Sequence, residues 1–191
     1  MPKTRARMDS LQHLIIVTGA PATGKSTLAP LVASRYGSTL LAKDEIKEEL
    51  FDILGAGDAS WSRRLSDASF ATMFALANDA LGSGGSVVLE GNMRVGEHES
   101  AIHALLARAS SIRCVQVLCR ASEDLRRARH ERRARRPIRH AGHLDTTTRF
   151  ASATAAFLDI PSTRLEFDGS ESSKARERLF AALDASLQHP A

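Results

Sequence analysis

A short run near the start of the sequence combines two glycines, a lysine and a serine at a spacing that suits phosphate binding. The run from Gly19 to Ser26 reads G-x-x-x-x-G-K-S, after an apolar stretch and before a helical one. The glycines let the backbone curl so that successive N–H groups point into one concavity. Lys25 can bring an ammonium to the β- and γ-phosphates of a nucleotide, and Ser26 can offer its hydroxyl to Mg²⁺. We call residues 19–27 the P-loop, and the nucleotide-binding residues expected in it are Gly19, Ala20, Pro21, Ala22, Thr23, Gly24, Lys25, Ser26 and Thr27.

Two carboxylates follow apolar runs that are predicted to be strands. Asp44 comes after the run 38–42, and Glu90 ends the run 86–90. The carboxyl ends of parallel strands meet at one edge of a sheet, where ligands bind. We expect Asp44 to be a general base that takes the proton of an acceptor hydroxyl; the structural alternative is that it caps the helix 45–54. Glu90 is expected to hold Mg²⁺ through water or to position the acceptor.

Arginine is concentrated in one segment. Nine arginines fall between residues 120 and 139, where only three carboxylates oppose them. Spacings of three and four place four of them on one helix face, namely Arg126, Arg129, Arg133 and Arg136. Such a stripe can clamp a triphosphate and offset the charge that develops during phosphoryl transfer. A net charge of +4 and a pI of about 9.5 would also suit a nucleic acid, but this segment has no aromatic side chains on which bases could stack.

Alternating strands and helices must position these groups. The predicted strands are 14–19, 38–42, 86–90, 114–119 and 165–167. The predicted helices are 26–36, 45–54, 60–81, 97–110, 123–136, 145–157 and 171–187. In the helix 60–81 the apolar positions are Leu65, Phe70, Phe74 and Leu76. Alternation of this kind predicts an α/β fold in which helices cover both faces of a parallel sheet.

Composition narrows the class of protein. With 191 residues, 43% of them hydrophobic, the chain suits one α/β domain. No apolar run approaches the roughly 20 residues that span a bilayer, so we expect no membrane segment. Cys114 and Cys119 lie at odd spacing in one predicted strand, so they should point to opposite faces and not form a bridge. Buried thiols of this kind favour a cytoplasmic location.

Three blocks together resemble the small P-loop kinase and AAA-like ATPase family, which contains zeta-toxin-like, chloramphenicol-phosphotransferase-like and polynucleotide-kinase-like domains. The blocks are the P-loop, the strand end 42–50 that reads A-K-D-E-I-K-E-E-L, and the run 117–133 with its carboxyl-rich turn and spaced arginines. The likeness also includes the run 87–92.

The resemblance implies a three-layer P-loop NTPase fold with five parallel strands, in which the P-loop strand lies between the third and fourth strands. It implies ATP and Mg²⁺ as cofactors and an arginine-bearing lid that closes over the nucleotide. It also implies the catalytic residues, which are Lys25, Asp44 as the base, and the lid arginines Arg129 and Arg133, with Ser26 and Glu90 as the metal ligands.

Several further residues are candidates for contact with the acceptor or the nucleotide, and an ordinary surface role is the alternative for each. They are Lys43, Trp61, Arg63, Arg64, Asn92, Arg94, Arg120, Asp168 and Gly169. Three histidines could be taken for a zinc site, namely His130, His140 and His143. His140 and His143 are closely spaced in a loop that follows the lid helix, which favours substrate contact instead.

The sequence therefore predicts a single P-loop kinase-like domain over residues 1–191, with a lid at about 120–145. The predicted activity moves the γ-phosphate of ATP to a hydroxyl of a small-molecule acceptor. The alternative is a polynucleotide 5′-end kinase or a nucleic-acid-associated P-loop ATPase. The sequence names neither the acceptor nor the oligomeric state.

Overall fold

The computed structural model describes residues 11–108, 111–134, 155–170 and 173–188, and of Arg133 and Ala134 only the backbone. Strands and helices alternate along these residues. The strands are β1 (His13–Gly19), β2 (Thr39–Ala42), β3 (Val87–Glu90), β4 (Arg113–Arg120) and β5 (Thr163–Asp168). The helices are α1 (Lys25–Tyr36), α2 (Lys43–Leu54), α3 (Ala59–Gly82), α4 (Glu99–Leu106), α5 (Glu123–Ala134) and α6 (Ser173–Gln188). Among them, no helix combines the length and the apolar character needed to cross a bilayer.

The five strands form one parallel sheet in the order β2-β3-β1-β4-β5. The strand before the P-loop thus lies between the third and fourth strands, which confirms the expected topology. Val17 pairs with both Glu90 and Val117, and Ala42 pairs with Glu90 on its other side. The carboxyl ends of β1, β2 and β3 therefore lie next to one another at one edge of the sheet.

The central strand β1 is buried on both faces, and its side chains alternate between two cores. Ile15 and Val17 pack with residues of α1 and α6, whereas Leu14 and Ile16 pack with residues of α3 and α4. A strand covered on both faces is continuously apolar rather than alternating, as parallel sheets require. The helices on both faces confirm the three-layer architecture.

The two cysteines are divided between these cores. Cys119 packs with the first cluster and Cys114 with the second, and both thiols are free. Burial raises the pKa of each to about 12, so neither is an activated nucleophile. The prediction that they point to opposite faces is confirmed.

Some element boundaries differ from the predictions. The N-cap of α2 is Ala42, with an extended backbone, so Asp44 lies inside the first turn and the capping alternative is wrong. The helix α4 ends at Leu106, before the predicted end at 110, and residues 155–157 are not helical.

One apolar position on α3 was assigned wrongly. Leu76 is 46% exposed, because the buried face of this helix follows spacings of three and four, which leave position 76 off the stripe. The buried residues of α3 are Leu65, Ser69, Phe70, Met73, Ala77 and Leu81. Other predicted positions lie outside the described residues, namely Arg136, His140 and His143.

Candidate active site

The P-loop has the backbone of an anion-binding cup. Gly19, Ala22 and Gly24 all have positive φ, at 149°, 63° and 96°. A side chain at Gly19 would collide with the carbonyl oxygen of Cys119 on the neighbouring strand, so only glycine fits there. Because Gly24 is the N-cap of α1 and has no side chain to cap it, the N–H groups that start this helix are directed at the space an anion would occupy.

Lys25 folds back over this loop. Its side chain is buried, and Nζ donates a hydrogen bond to the carbonyl oxygen of Ala20 at 2.9 Å. The Thr23 hydroxyl donates to the same oxygen at 2.8 Å. The ammonium is thus held within the P-loop, at the place where the β- and γ-phosphates of a bound nucleotide would need a cation.

Glu90 ends β3 as a buried carboxylate beside Lys25. Its pKa is raised, first because burial disfavours the charged form; the Lys25 ammonium opposes this, and the carboxylates of Asp44 and Glu45 add to it. Because Val17 and Ala42 both pair with Glu90, the strand before the P-loop and the strand before α2 flank this carboxylate. The loop after Glu90 is anchored to β1, because Gly91 N donates to the Val17 carbonyl oxygen at 3.2 Å.

Asp44 presents its carboxylate to solvent from the first turn of α2. Its side chain is 59% exposed, whereas that of Lys43, whose Nζ lies 3.0 Å from Asp44 Oδ1, is only 6% exposed. The suggestion that Lys43 is a solvated surface residue is therefore wrong. An acidic group in the first turn also interacts favourably with the helix dipole.

Two arginines of α5 contact the outer side of the P-loop. Arg126 Nε donates to the Pro21 carbonyl oxygen at 3.1 Å, and Arg129 Nη1 donates to that of Ala22 at 3.2 Å. Arg129 Nη2 also donates to the Gly169 carbonyl oxygen at 2.7 Å. The predicted arginine stripe thus includes two members that face the P-loop, whereas the side chain of Arg133 lies outside the described residues.

The turn after β5 packs against the P-loop as well. Gly169 N donates to the Arg120 carbonyl oxygen at 2.7 Å. An ideal Cβ at Gly169 would lie 3.1 Å from the carbonyl carbon of Thr23 and closer still to its oxygen. This glycine is therefore required for the close approach of β5 to the P-loop, at the place where Asp168 and Gly169 were expected to meet the nucleotide.

Other predicted contact residues have surface partners. Arg120 pairs with Glu166 at 2.8 Å, and Arg94 pairs with Glu97 at 2.6 Å. The Trp61 indole N–H donates to the Gly55 carbonyl oxygen at 2.9 Å.

The oxygen donors at the site fit Mg²⁺. Ser26 is exposed at the start of α1, and Glu90 supplies a carboxylate from the adjacent strand end. Across the described part of the chain, no group of three or more His, Cys, Asp or Glu side chains is arranged to hold a metal ion. Mg²⁺ at this site would therefore also depend on phosphate oxygens and water, which are its usual ligands in nucleotide sites.

Sequence comparison assigns the chain to a family. The model of the AAA domain family matches residues 14–155, and the chain belongs to that family. A protein from Mycobacterium tuberculosis that carries no functional name is 30% identical over 177 residues, which cover 81% of this chain and 34% of that protein. The chain thus spans about a third of the length of this curated relative.

Solved structures show the same architecture. A candidate kinase from Chloroflexus aurantiacus is 31% identical, with a TM-score of 0.78 and coverage of 91% of this chain and 98% of that one. A sugar kinase from a Janibacter species has a TM-score of 0.60 at 14% identity, with coverage of 94% and 100%; at that identity the likeness shows the fold alone. The chain has the fold of the small P-loop kinases.

Proposed function

We propose that this chain is an ATP-dependent kinase that transfers the γ-phosphate of ATP to a hydroxyl group of a small molecule. The proposal is carried by the pairing of β1, β2 and β3, which brings Glu90 at the end of β3 and Asp44 at the start of α2 next to the P-loop and the open N-terminus of α1. Phosphoryl transfer requires a cation for the phosphates, a carboxylate next to that cation and an exposed carboxylate on the acceptor side. The similarity to a candidate kinase supports the same reaction class.

In the proposed reaction, the acceptor oxygen forms a bond to the γ-phosphorus as the bond from that phosphorus to the β–γ bridging oxygen breaks. The hydroxyl proton passes to Asp44, and ADP leaves with the bridging oxygen. Lys25, whose Nζ donates to the Ala20 carbonyl oxygen within the P-loop, brings its ammonium to the phosphates. Mg²⁺ held by Ser26 and Glu90 would offset phosphate charge. We propose that Arg129 and Arg133 close over the triphosphate from α5.

The test is a transfer assay with ATP labelled at the γ-phosphate and a panel of small hydroxyl compounds. We expect Lys25→Ala to lose turnover by about 100-fold or more, because the phosphates lose their cation. Asp44→Asn should keep ATP affinity but lose transfer by about 100- to 10,000-fold, which is the usual contribution of a general base.

Matched controls are available in the chain. Lys174→Ala removes an exposed lysine on α6, and Asp52→Asn removes an exposed carboxylate two turns further along α2. Both are expected to retain wild-type transfer. Full transfer by Asp44→Asn would remove the base from the proposal, and no phosphorylated product from any hydroxyl compound would remove the activity itself.

The rival activity, phosphorylation of a polynucleotide 5′ end, is measured in the same assay. Arg126 and Arg129 contact the P-loop and the turn after β5 rather than standing free for a phosphate backbone. An oligonucleotide with a 5′-hydroxyl is therefore expected to be a poor acceptor. Efficient labelling of that oligonucleotide, with a steep loss of affinity as salt rises, would favour the rival.

A further inference from the structure

We propose that Lys43 is a positioning residue whose buried ammonium holds the Asp44 carboxylate in place for phosphoryl transfer. The inference rests on the function proposed above, because Lys43 acts through the proposed base. Its physical basis is the unequal burial of two neighbouring side chains and the packing that fixes the buried one.

In the ion pair between Lys43 and Asp44, the lysine is buried and the aspartate is exposed. Lys43 Nζ lies 3.0 Å from Asp44 Oδ1, and the lysine side chain is 6% exposed against 59% for the aspartate. An exposed carboxylate samples several rotamers, whereas a tightly packed side chain has few. Burying an ammonium is also unfavourable unless an opposite charge accompanies it. The buried Lys43 ammonium is therefore expected to restrict the Asp44 carboxylate to the rotamer that keeps the two groups in contact.

Two other elements hold the lysine. Its stem passes between the loop after β3 and the helix α3, since an ideal Cβ at Gly91 would lie 3.2 Å from Lys43 Cβ and 3.5 Å from Phe70 Cε1. The ammonium lies 5.7 Å from the centre of the Phe70 ring, a distance at which a cation is attracted to the ring face. Phe70 in turn packs against His98, with ring centres 4.1 Å apart.

The sheet also fixes where the pair lies. Because β2 and β3 pair with Ala42 opposite Glu90, Lys43 begins α2 directly after the strand position that pairs with the end of β3.

The test compares Lys43→Met, Lys43→Arg, Asp44→Asn and the double variant Lys43→Met/Asp44→Asn. We expect Lys43→Met to lower kcat by about 10- to 100-fold, as a misplaced catalytic group does, with KM for ATP changed less than about twofold. Lys43→Arg should recover most of kcat because it restores the cation. In the Asp44→Asn background, Lys43→Met should cause no further loss, because the group through which Lys43 acts is already gone.

A matched control is provided by Lys47→Met. Lys47 is equally buried on the same face of α2, where it contacts the Ser62 hydroxyl at 3.0 Å and the Phe51 ring. Its effect is expected to add to that of Asp44→Asn. Gly91→Ala, which crowds the Lys43 stem, should lower kcat in the same direction as Lys43→Met.

The two proposals fail differently. If Asp44→Asn abolishes transfer while Lys43→Met keeps wild-type kcat, or if the two effects simply multiply, the role of Lys43 is refuted and the kinase activity stands. If the wild-type protein transfers phosphate to no hydroxyl compound, the proposed function itself is refuted. Thermal unfolding of each variant excludes the case in which kcat falls because the protein is unfolded.

Discussion

The substitution Gly169→Ala tests how tightly the turn after β5 is seated on the P-loop. The added Cβ would fall within 3.0 Å of the Thr23 carbonyl oxygen, closer than real Cβ atoms come, and 3.1 Å from the Arg120 carbonyl oxygen. Both obstacles are backbone atoms, so neither can rotate away as a flexible side chain would. Either the P-loop or the end of β5 has to move.

The size of the effect follows from that displacement. Relieving the overlap requires a shift of about 1 Å, and overpacking of this kind costs roughly 1–3 kcal/mol of folding stability. If the P-loop moves, the N–H groups that face the phosphates move with it, and a hydrogen bond to a charged group contributes about 1.5–3 kcal/mol. Loss of one such bond raises the Kd for the nucleotide by about 10- to 100-fold.

Titration calorimetry with a non-hydrolysable ATP analogue measures this Kd, and thermal unfolding without nucleotide measures the stability. Gly85→Ala is the control, because its Cβ would lie 3.1 Å from the Ala80 carbonyl oxygen, a tight backbone contact that is milder than the one at Gly169. Gly85 lies near the start of β3, away from the P-loop. If both variants bind the analogue as the wild type does, the turn after β5 does not support the P-loop and the reasoning fails.

Two further predictions concern α5 and the loop before α4. Arg129→Met removes hydrogen bonds to the carbonyl oxygens of Ala22 and Gly169, so the Kd for the same analogue should rise about tenfold; an unchanged Kd would contradict this contact. Burial lowers the pKa of His98 in the folded protein from 6.5. As the pH falls, His98 is therefore protonated in the unfolded chain before it is protonated in the folded protein. The free energy of unfolding should then decrease as the pH drops below 6.5 towards the folded pKa. Urea unfolding between pH 5 and 8 measures this pH dependence of the unfolding free energy. His98→Gln should lose part of it, whereas His103→Gln, on the exposed face of α4, should keep it.

The nucleotide side of the site could be predicted because its signals are local. The glycines, the lysine and the serine of the P-loop lie within one short run, and each is needed for a stated backbone or charge reason. The positive φ of Gly19 and Gly24 follows from that run alone. Strand and helix alternation was enough to predict the parallel sheet, because a helical connection leaves few ways to return to it.

The burial of Lys43 could not be predicted in the same way. The sequence around position 43 allowed an ordinary surface role for Lys43 as the alternative to substrate contact, and this alternative was wrong. The lysine is buried because β2 pairs with β3 and because Phe70, 27 positions further along the chain, packs over it. Neither contact leaves a signal in the residues around position 43.

The contrast between the two sides of the site has a physical origin. A triphosphate is the same ligand in every enzyme of this kind, so one loop of backbone N–H groups can recognise it and the loop's sequence is constrained. In the proposed reaction, the acceptor hydroxyl would be recognised by side chains from α2, α3 and the loop after β3, which meet only through tertiary packing. The Lys43, Phe70 and His98 contacts are of this second kind. We therefore expect substitutions at Phe70 to change acceptor transfer more than nucleotide affinity, whereas substitutions at Gly169 should do the reverse.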